Sequence, residues 1–214
     1  MARNALVRSL LALLVVATAI GRAHAVPLTF TGQLAADDAL FQHDFTTSSA
    51  MVYNFYTTSY GGGINADGSM SSAGGFVPLL TLFSATTGNV LGFGGGSGMC
   101  EGSSMADTTT GLCEDASFSR VLAAGSYSLV LSEFPNAAIG SLSDGFLFAG
   151  QPTITGDLCG VAGGSFLQTD QAPCVQRTAD YAVNIASSPV PEPATWLLVL
   201  PAAGLGLLVR RQLA

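Results

Sequence analysis

The chain has 214 residues and a formal charge of −7, with 49% apolar and only 10% charged residues. So few charges speak against a disordered chain and against a charged coiled coil, and an acidic chain whose seven bases are all Arg is a poor nucleic-acid binder. The absence of Lys excludes P-loop and Schiff-base chemistry.

Residues 1–25 read as a secretory signal helix. Arg3 and Arg8 supply the positive start, Leu10 to Ile20 the apolar stretch, and Ala23-His24-Ala25 the small residues of a cleavage site. Cleavage is expected between Ala25 and Val26, by signal peptidase. The other reading is an uncleaved anchor, for which the apolar stretch is short.

Residues 26–188 form the body, with two bases (Arg120 and Arg177) against thirteen acids, a formal −11. Its 163 residues suit one domain with a real core. Apolar and polar residues alternate along it. Phe41-Gln42-His43-Asp44-Phe45 alternates, and Met51 to Tyr56 is rich in aromatic and β-branched residues. Leu79 to Phe83 and Asn89-Val90-Leu91 flank Thr87-Gly88, which predicts a hairpin. Ser126 to Leu131 puts Tyr127, Leu129 and Leu131 on one face; Asp180 to Ile185 does the same with Tyr181, Val183 and Ile185. No segment keeps a helical period for three turns. The expectation is all-β: an antiparallel β-sandwich or jelly roll of about eight strands, the last at 179–186. The long connections, 60–77, 94–116 and 134–178, are filled by Gly, Ser, Asp and Thr.

Two of those connections hold all four cysteines: Cys100, Cys113, Cys159 and Cys174. In an exported chain an even count reads as disulfides. Three pairings are open; the local one closes loops of about 14 and 16 residues, each contributing roughly 3 kcal/mol on the chain-entropy model. Zinc is the alternative, but close Cys pairs are lacking and His43 is the only body histidine. A Ser-His-Asp set would have to use His43, whose alternating strand makes it a packed core or edge residue. Paired carboxylates could serve a glycosidase, though the body has no Trp to stack on sugar. Hard oxygen ligands on loops suit Ca²⁺; the candidates are Asp37 and Asp38 before a strand and Asp115 beside Glu114. Asn65-Ala66-Asp67-Gly68 matches half an EF-hand loop but has Gly63 and Gly74 at its first and twelfth positions, so it reads as a turn. Otherwise no cofactor is expected.

The tail, 189–214, begins with Val190-Pro191-Glu192-Pro193. The 16-residue uncharged run Ala194–Val209 and the pair Arg210-Arg211 follow. The run reads as a single transmembrane helix, slightly short, with the Arg pair kept on the cytoplasmic side. Two prolines bar an early helix start and leave an extended segment at the membrane surface. The ordered trio of Pro191-Glu192-Pro193, apolar run and basic pair resembles a PEP-CTERM sorting signal. That resemblance implies export in a Gram-negative exopolysaccharide producer. It also implies recognition by an exosortase, which cuts near the motif after a transient inner-membrane stage. An anchor that is never cut is the other reading.

The body resembles a family of exported PEP-CTERM proteins. The matching blocks are Phe30-Thr31-Gly32 with Asp37-Asp38, Ala73-Gly74-Gly75-Phe76 with Pro78-Leu79-Leu80, Leu122 to Tyr127, and Leu142-Ser143-Asp144-Gly145-Phe146. Such domains look like the pre-peptidase C-terminal β-sandwich, and the family carries no established activity. Relatives often have acids after the Leu hairpin, where this chain has Gly94-Gly95-Gly96. The expected function is a cell-surface or matrix structural or binding protein. Its expected partners are exopolysaccharide or other envelope proteins, with the membrane engaged through the tail and no nucleic acid bound. The alternative is a small secreted carboxylate-dependent polysaccharide hydrolase.

Overall fold

The alternating segments become strands that bury the face their sequence makes apolar. A computed structural model describes residues 27–96, 100 and 105–190. In chain order its long strands are β1 (Leu28–Gln33), β2 (Phe41–Thr47) and β3 (Met51–Thr57), then, after the short β4 (Gly63–Ile64) and β5 (Met70–Ser71), β6 (Pro78–Ser84) and β7 (Val90–Gly95). β8 (Ser117–Leu122) and β9 (Gly125–Glu133) follow. A 3-10 turn (Leu142–Asp144), helix α1 (Ile154–Cys159), the short β10 (Leu167–Gln168) and β11 (Val175–Gln176), and β12 (Asp180–Pro189) complete the order.

Eight strands make two antiparallel four-stranded sheets, β1-β12-β3-β8 and β2-β9-β6-β7. Their inner faces meet in one core containing Phe55, Leu80, Leu82, Leu129, Leu131 and Val183, all without exposure. Each such side chain stabilises the fold by about 1.5–3 kcal/mol relative to exposure. In β3, Met51, Tyr53 and Phe55 point inward while Val52, Asn54 and Tyr56 stay half-exposed, the period of two that pleating imposes. The hairpin around Thr87-Gly88 forms: β6 pairs with β7, and Gly88, at φ 74°, sits where only a left-handed residue closes the turn.

The two ends of the sandwich differ. One end holds the tight turns: 48–50 between β2 and β3, 85–89 between β6 and β7, and 123–124 between β8 and β9. It also holds the start of β1 and the end of β12, since Leu28 pairs with Ile185 and Pro189 with Met51. The other end holds every long connection. These are not featureless as the composition suggests. Segment 58–77 carries the β4–β5 hairpin and lays it on the outer face of the first sheet, where the Ala66 N–H donates to Asn184. Segment 134–179 crosses the outer face of the second sheet, covering Phe83 and Val130 with Phe146. It then forms α1 and the β10–β11 hairpin. Asp180–Pro189 replaces the expected 179–186.

β7 runs further than its apolar letters indicate, because its glycines have a packing task. A Cβ on Gly92 would lie 2.7 Å from the Phe118 ring, and one on Gly94 would lie 2.7 Å from the Ser117 carbonyl oxygen. Edge strands β7 and β8 therefore meet across the side of the sandwich only because alternate positions lack side chains. Gly94→Val should cost about 1–3 kcal/mol through overpacking against backbone, read as a lowered thermal midpoint. Gly95→Ala, which meets only the flexible Leu79 side chain, should cost less; equal losses would refute the packing role.

The leader with its Ala25–Val26 cut, and the tail with Pro191, Glu192, Pro193, Arg210 and Arg211, lie outside the described residues. Among the described residues no helix is long and apolar enough to cross a membrane.

Candidate functional site

The acidic residues singled out by sequence occupy two buried polar nodes among the long connections. In the first, Asp37 is fully buried and accepts three hydrogen bonds: the Thr155 N–H at 2.8 Å, the Thr155 hydroxyl at 2.6 Å and the Phe166 N–H at 2.8 Å. These bonds seat α1 on the turn before β2. They also hold Phe166 at φ 55°, a left-handed conformation costly for a bulky residue. Asp38 accepts the Gly150 N–H at 2.9 Å. Glu133, at the end of β9, lies beside Asp37 and is only 2% exposed. Its Oε2 has no hydrogen-bond partner among the described residues. Burial, then the charge and hydrogen bond of Asp37, push the Glu133 carboxyl up to about 10. Glu133 therefore holds its proton well above the usual carboxylate range.

The second node is built on Tyr60. Asp115 accepts the Tyr60 and Gly61 N–H groups at 3.1 and 3.0 Å and the Thr57 hydroxyl at 2.8 Å. Burial raises its carboxyl and outweighs those bonds. Arg177 lies over the Tyr60 ring at 4.1 Å and donates to the Tyr60 and Gly75 carbonyls, both at 2.9 Å. It also meets Asp107 through two bonds of 3.0 and 3.2 Å. Burial alone would raise the Asp107 carboxyl, but the bonds and charge of Arg177, with the Thr110 N–H and hydroxyl, hold it below the usual carboxylate range. The Tyr60 hydroxyl donates to Gln168 at 2.8 Å. One buried Arg thus ties together the segments around 60, 75, 107 and 177.

The two nodes do not form one cation cage. Asp37 and Asp115 share no hydrogen-bond partner, and each carboxylate already accepts three donors. Among the described residues no group of three or more His, Cys, Asp or Glu side chains is arranged to hold a metal ion. Asn65 of the partial EF-hand match is spent on Thr58, Ser71 and Asn184, and its turn closes through the Gly68 N–H to the Asn65 carbonyl. His43 is half-buried between Phe30, at 4.3 Å, and Phe45. Burial lowers its basicity, partly offset by Asp44. It has the surroundings of a packed residue.

The cysteines pair locally, Cys100 with Cys113 and Cys159 with Cys174, with Cα separations of 4.9 and 6.1 Å. The second bond joins α1 to the residue before β11. A surface cleft of about 440 Å³ lies between the β4–β5 hairpin and the β1–β12 pair, lined by Gln33, Ser59, Met70, Ser72, Asp180 and Tyr181. It is mixed polar and apolar and contains neither node.

No protein-family model and no curated protein matches the chain. Among solved structures it is similar to the pre-peptidase C-terminal domain of a collagenase from Bacillus anthracis, with 10% identity and a TM-score of 0.36 over 78% of this chain and 99% of that one. A likeness of that size places no individual residue.

Sequence reasoning marked Asp37 and Asp115 but missed Glu133, Asp107 and Arg177. Asp107-Thr108-Thr109-Thr110-Gly111 did carry a signal. An Asp followed by hydroxyl residues and Gly is a side-chain-capped turn, and Asp107 accepts the Thr109 and Thr110 N–H groups.

Proposed function

We propose that the chain is an exported, non-catalytic β-sandwich displayed on the cell surface or in the extracellular matrix. It would be delivered by the leader and sorted through the tail by an exosortase-type transpeptidase. The observation that carries this reading is the pair of disulfides bracing the long connections. Such bonds persist in oxidising compartments and stabilise domains that leave the cytosol. The position of the tail agrees with it: Pro191-Glu192-Pro193 begins two residues after Pro189, the last residue of β12. The buried state of the ionisable nodes also favours a structural role over hydrolysis. Asp37 and Glu133, at 0% and 2% exposure, are closed to a polysaccharide chain.

Processing gives the test. Trp196, the chain's single Trp, lies in the tail. Mass spectrometry of the secreted product should find the N-terminus at Val26, a C-terminus near the motif and no free thiol, and the product should lack Trp fluorescence. A secreted product that keeps Trp196, or carries four free thiols, refutes the reading. Loss of normal biofilm or envelope in a deletion strain is the expected phenotype.

A further inference from the structure

We propose that the end of the sandwich carrying both chain termini is the face the body presents to a lipid bilayer, with its acidic connections directed away. This rests on the reading that the tail enters a membrane. Three independent observations support it.

The first is tether length. β12 ends at Pro189, paired with Met51, and only residues 190–193 separate it from the uncharged run Ala194–Val209. Four extended residues span at most about 14 Å. A central strand therefore delivers the chain straight into the run, and the end of the sandwich at Pro189 must lie close to the bilayer. The β1 terminus emerges at the same end, because Leu28 pairs with Ile185.

The second is charge. The turns of that end are Ser48-Ser49-Ala50, Ala85-Thr86-Thr87-Gly88-Asn89 and Ala123-Ala124, without a charged residue. Most of the acids lie elsewhere. Asp44 is mid-strand in β2, and two acids come near this end from its flanks: the Asp67 N–H meets Thr29 near the start of β1, and Asp144 lies two residues from Leu142, whose N–H donates to the Gly88 carbonyl. The remaining described acids belong to the opposite end, a strand length of about 20 Å or more away. Where a bilayer surface carries anionic lipid such as phosphatidylglycerol, its negative potential decays within a Debye length of about 8–10 Å. The arrangement keeps most of the negative charge outside that layer.

The third is apolar exposure. Leu28, Val90, Val121 and Val190 are 40%, 44%, 57% and 37% exposed. They sit at the start of β1, the start of β7, the penultimate position of β8 and just past β12, at the same end as the uncharged turns. Leu147, Leu158 and Val161 are as exposed elsewhere, so the four add to the case through their position beside small uncharged turns, a combination that suits the headgroup boundary.

The chain's lack of Lys makes the test clean. Ser49→Lys and Thr87→Lys place one amine at the proposed face; Ala162→Lys places one at the opposite end. Each full chain is expressed in a host without the processing enzyme and reconstituted in vesicles of phosphatidylethanolamine and phosphatidylglycerol. The added amine is labelled with a fluorophore, the N-terminal amine serving as a common reference. With headgroup-quencher lipids, the labels at 49 and 87 should lose most of their emission and the label at 162 should keep it. Equal quenching at all three positions overturns the proposal and leaves the tail reading intact. A chain that does not float with the vesicles overturns both. Having two labelled positions in different turns guards against one variant misfolding.

Discussion

Replacing Arg177 with Met should unfold the body at a markedly lower temperature than any surface substitution. Arg177 is 6% exposed, and its removal leaves Asp107 as a buried carboxylate without its counter-charge. It also frees the Tyr60 and Gly75 carbonyls that the guanidinium occupies. Breaking a buried pair from one side costs about 3–5 kcal/mol, which for a domain of this size lowers the midpoint by roughly 6–20 °C. Asp107→Asn alone should also destabilise, since Arg177 then keeps its charge with only the carbonyls and the Tyr60 ring. The double variant should recover part of the loss, because neither buried charge is stranded. A thermal double-mutant cycle on the oxidised protein measures the coupling. Additive single losses would show that the pair is incidental.

Glu133→Gln should do the opposite and stabilise the protein, by an amount that grows with pH. The folded carboxyl is raised from 4.5 to about 10, so between those values the native state holds a proton that the unfolded chain releases. Stability from this group is complete below 4.5 and falls as pH rises towards 10, by about 1.4 kcal/mol per unit. At pH 7 the accumulated loss is on the order of 3 kcal/mol. Gln has nearly the same shape, needs no proton and can still donate to Asp37, so it avoids the loss. The variant should match the parent near pH 4.5 and exceed it at pH 7 and above in urea melts. His43 and Asp115 shift the absolute curves in opposite senses, His43 losing stability as pH falls and Asp115 as pH rises. They are common to both proteins and cancel in the difference. A pH-independent difference would refute the protonated state of Glu133.

These two expectations rest on features the sequence only half discloses. The sheet strands with strong alternation are readable: β3, β9 and β12, and the β6–β7 hairpin with its Thr87-Gly88 turn. β8 is not, because Phe118-Ser119-Arg120-Val121 mixes a core ring with exposed polar groups and its partner β3 lies far upstream. Gly92 and Gly94 look like strand breakers until the approach of Phe118 is seen. Asp37 stands out by sequence as an oxygen donor for a cation, yet its oxygens meet Thr155 and Phe166, more than a hundred residues later. A local motif cannot announce a partner at that separation. Glu133 is harder still: it ends an apolar strand, where a carboxylate reads as exposed, and only the packed turn at Asp37 reveals its burial. The sandwich was legible because period two is local. The nodes were not, because they are made by loops meeting across the fold.

The placement of β12 between β1 and β3 has a consequence for the order of assembly. Strand β1 is made before the other strands and, among the described residues, finds its ladder partner only in the last strand of the body. Until that final strand arrives, one of the two layers lacks its centre and the core stays open to water. Contacts so distant along the chain close slowly. A nascent chain of this design can close the sheet β2-β9-β6-β7 early, but it completes the other sheet only once the last strand has been made.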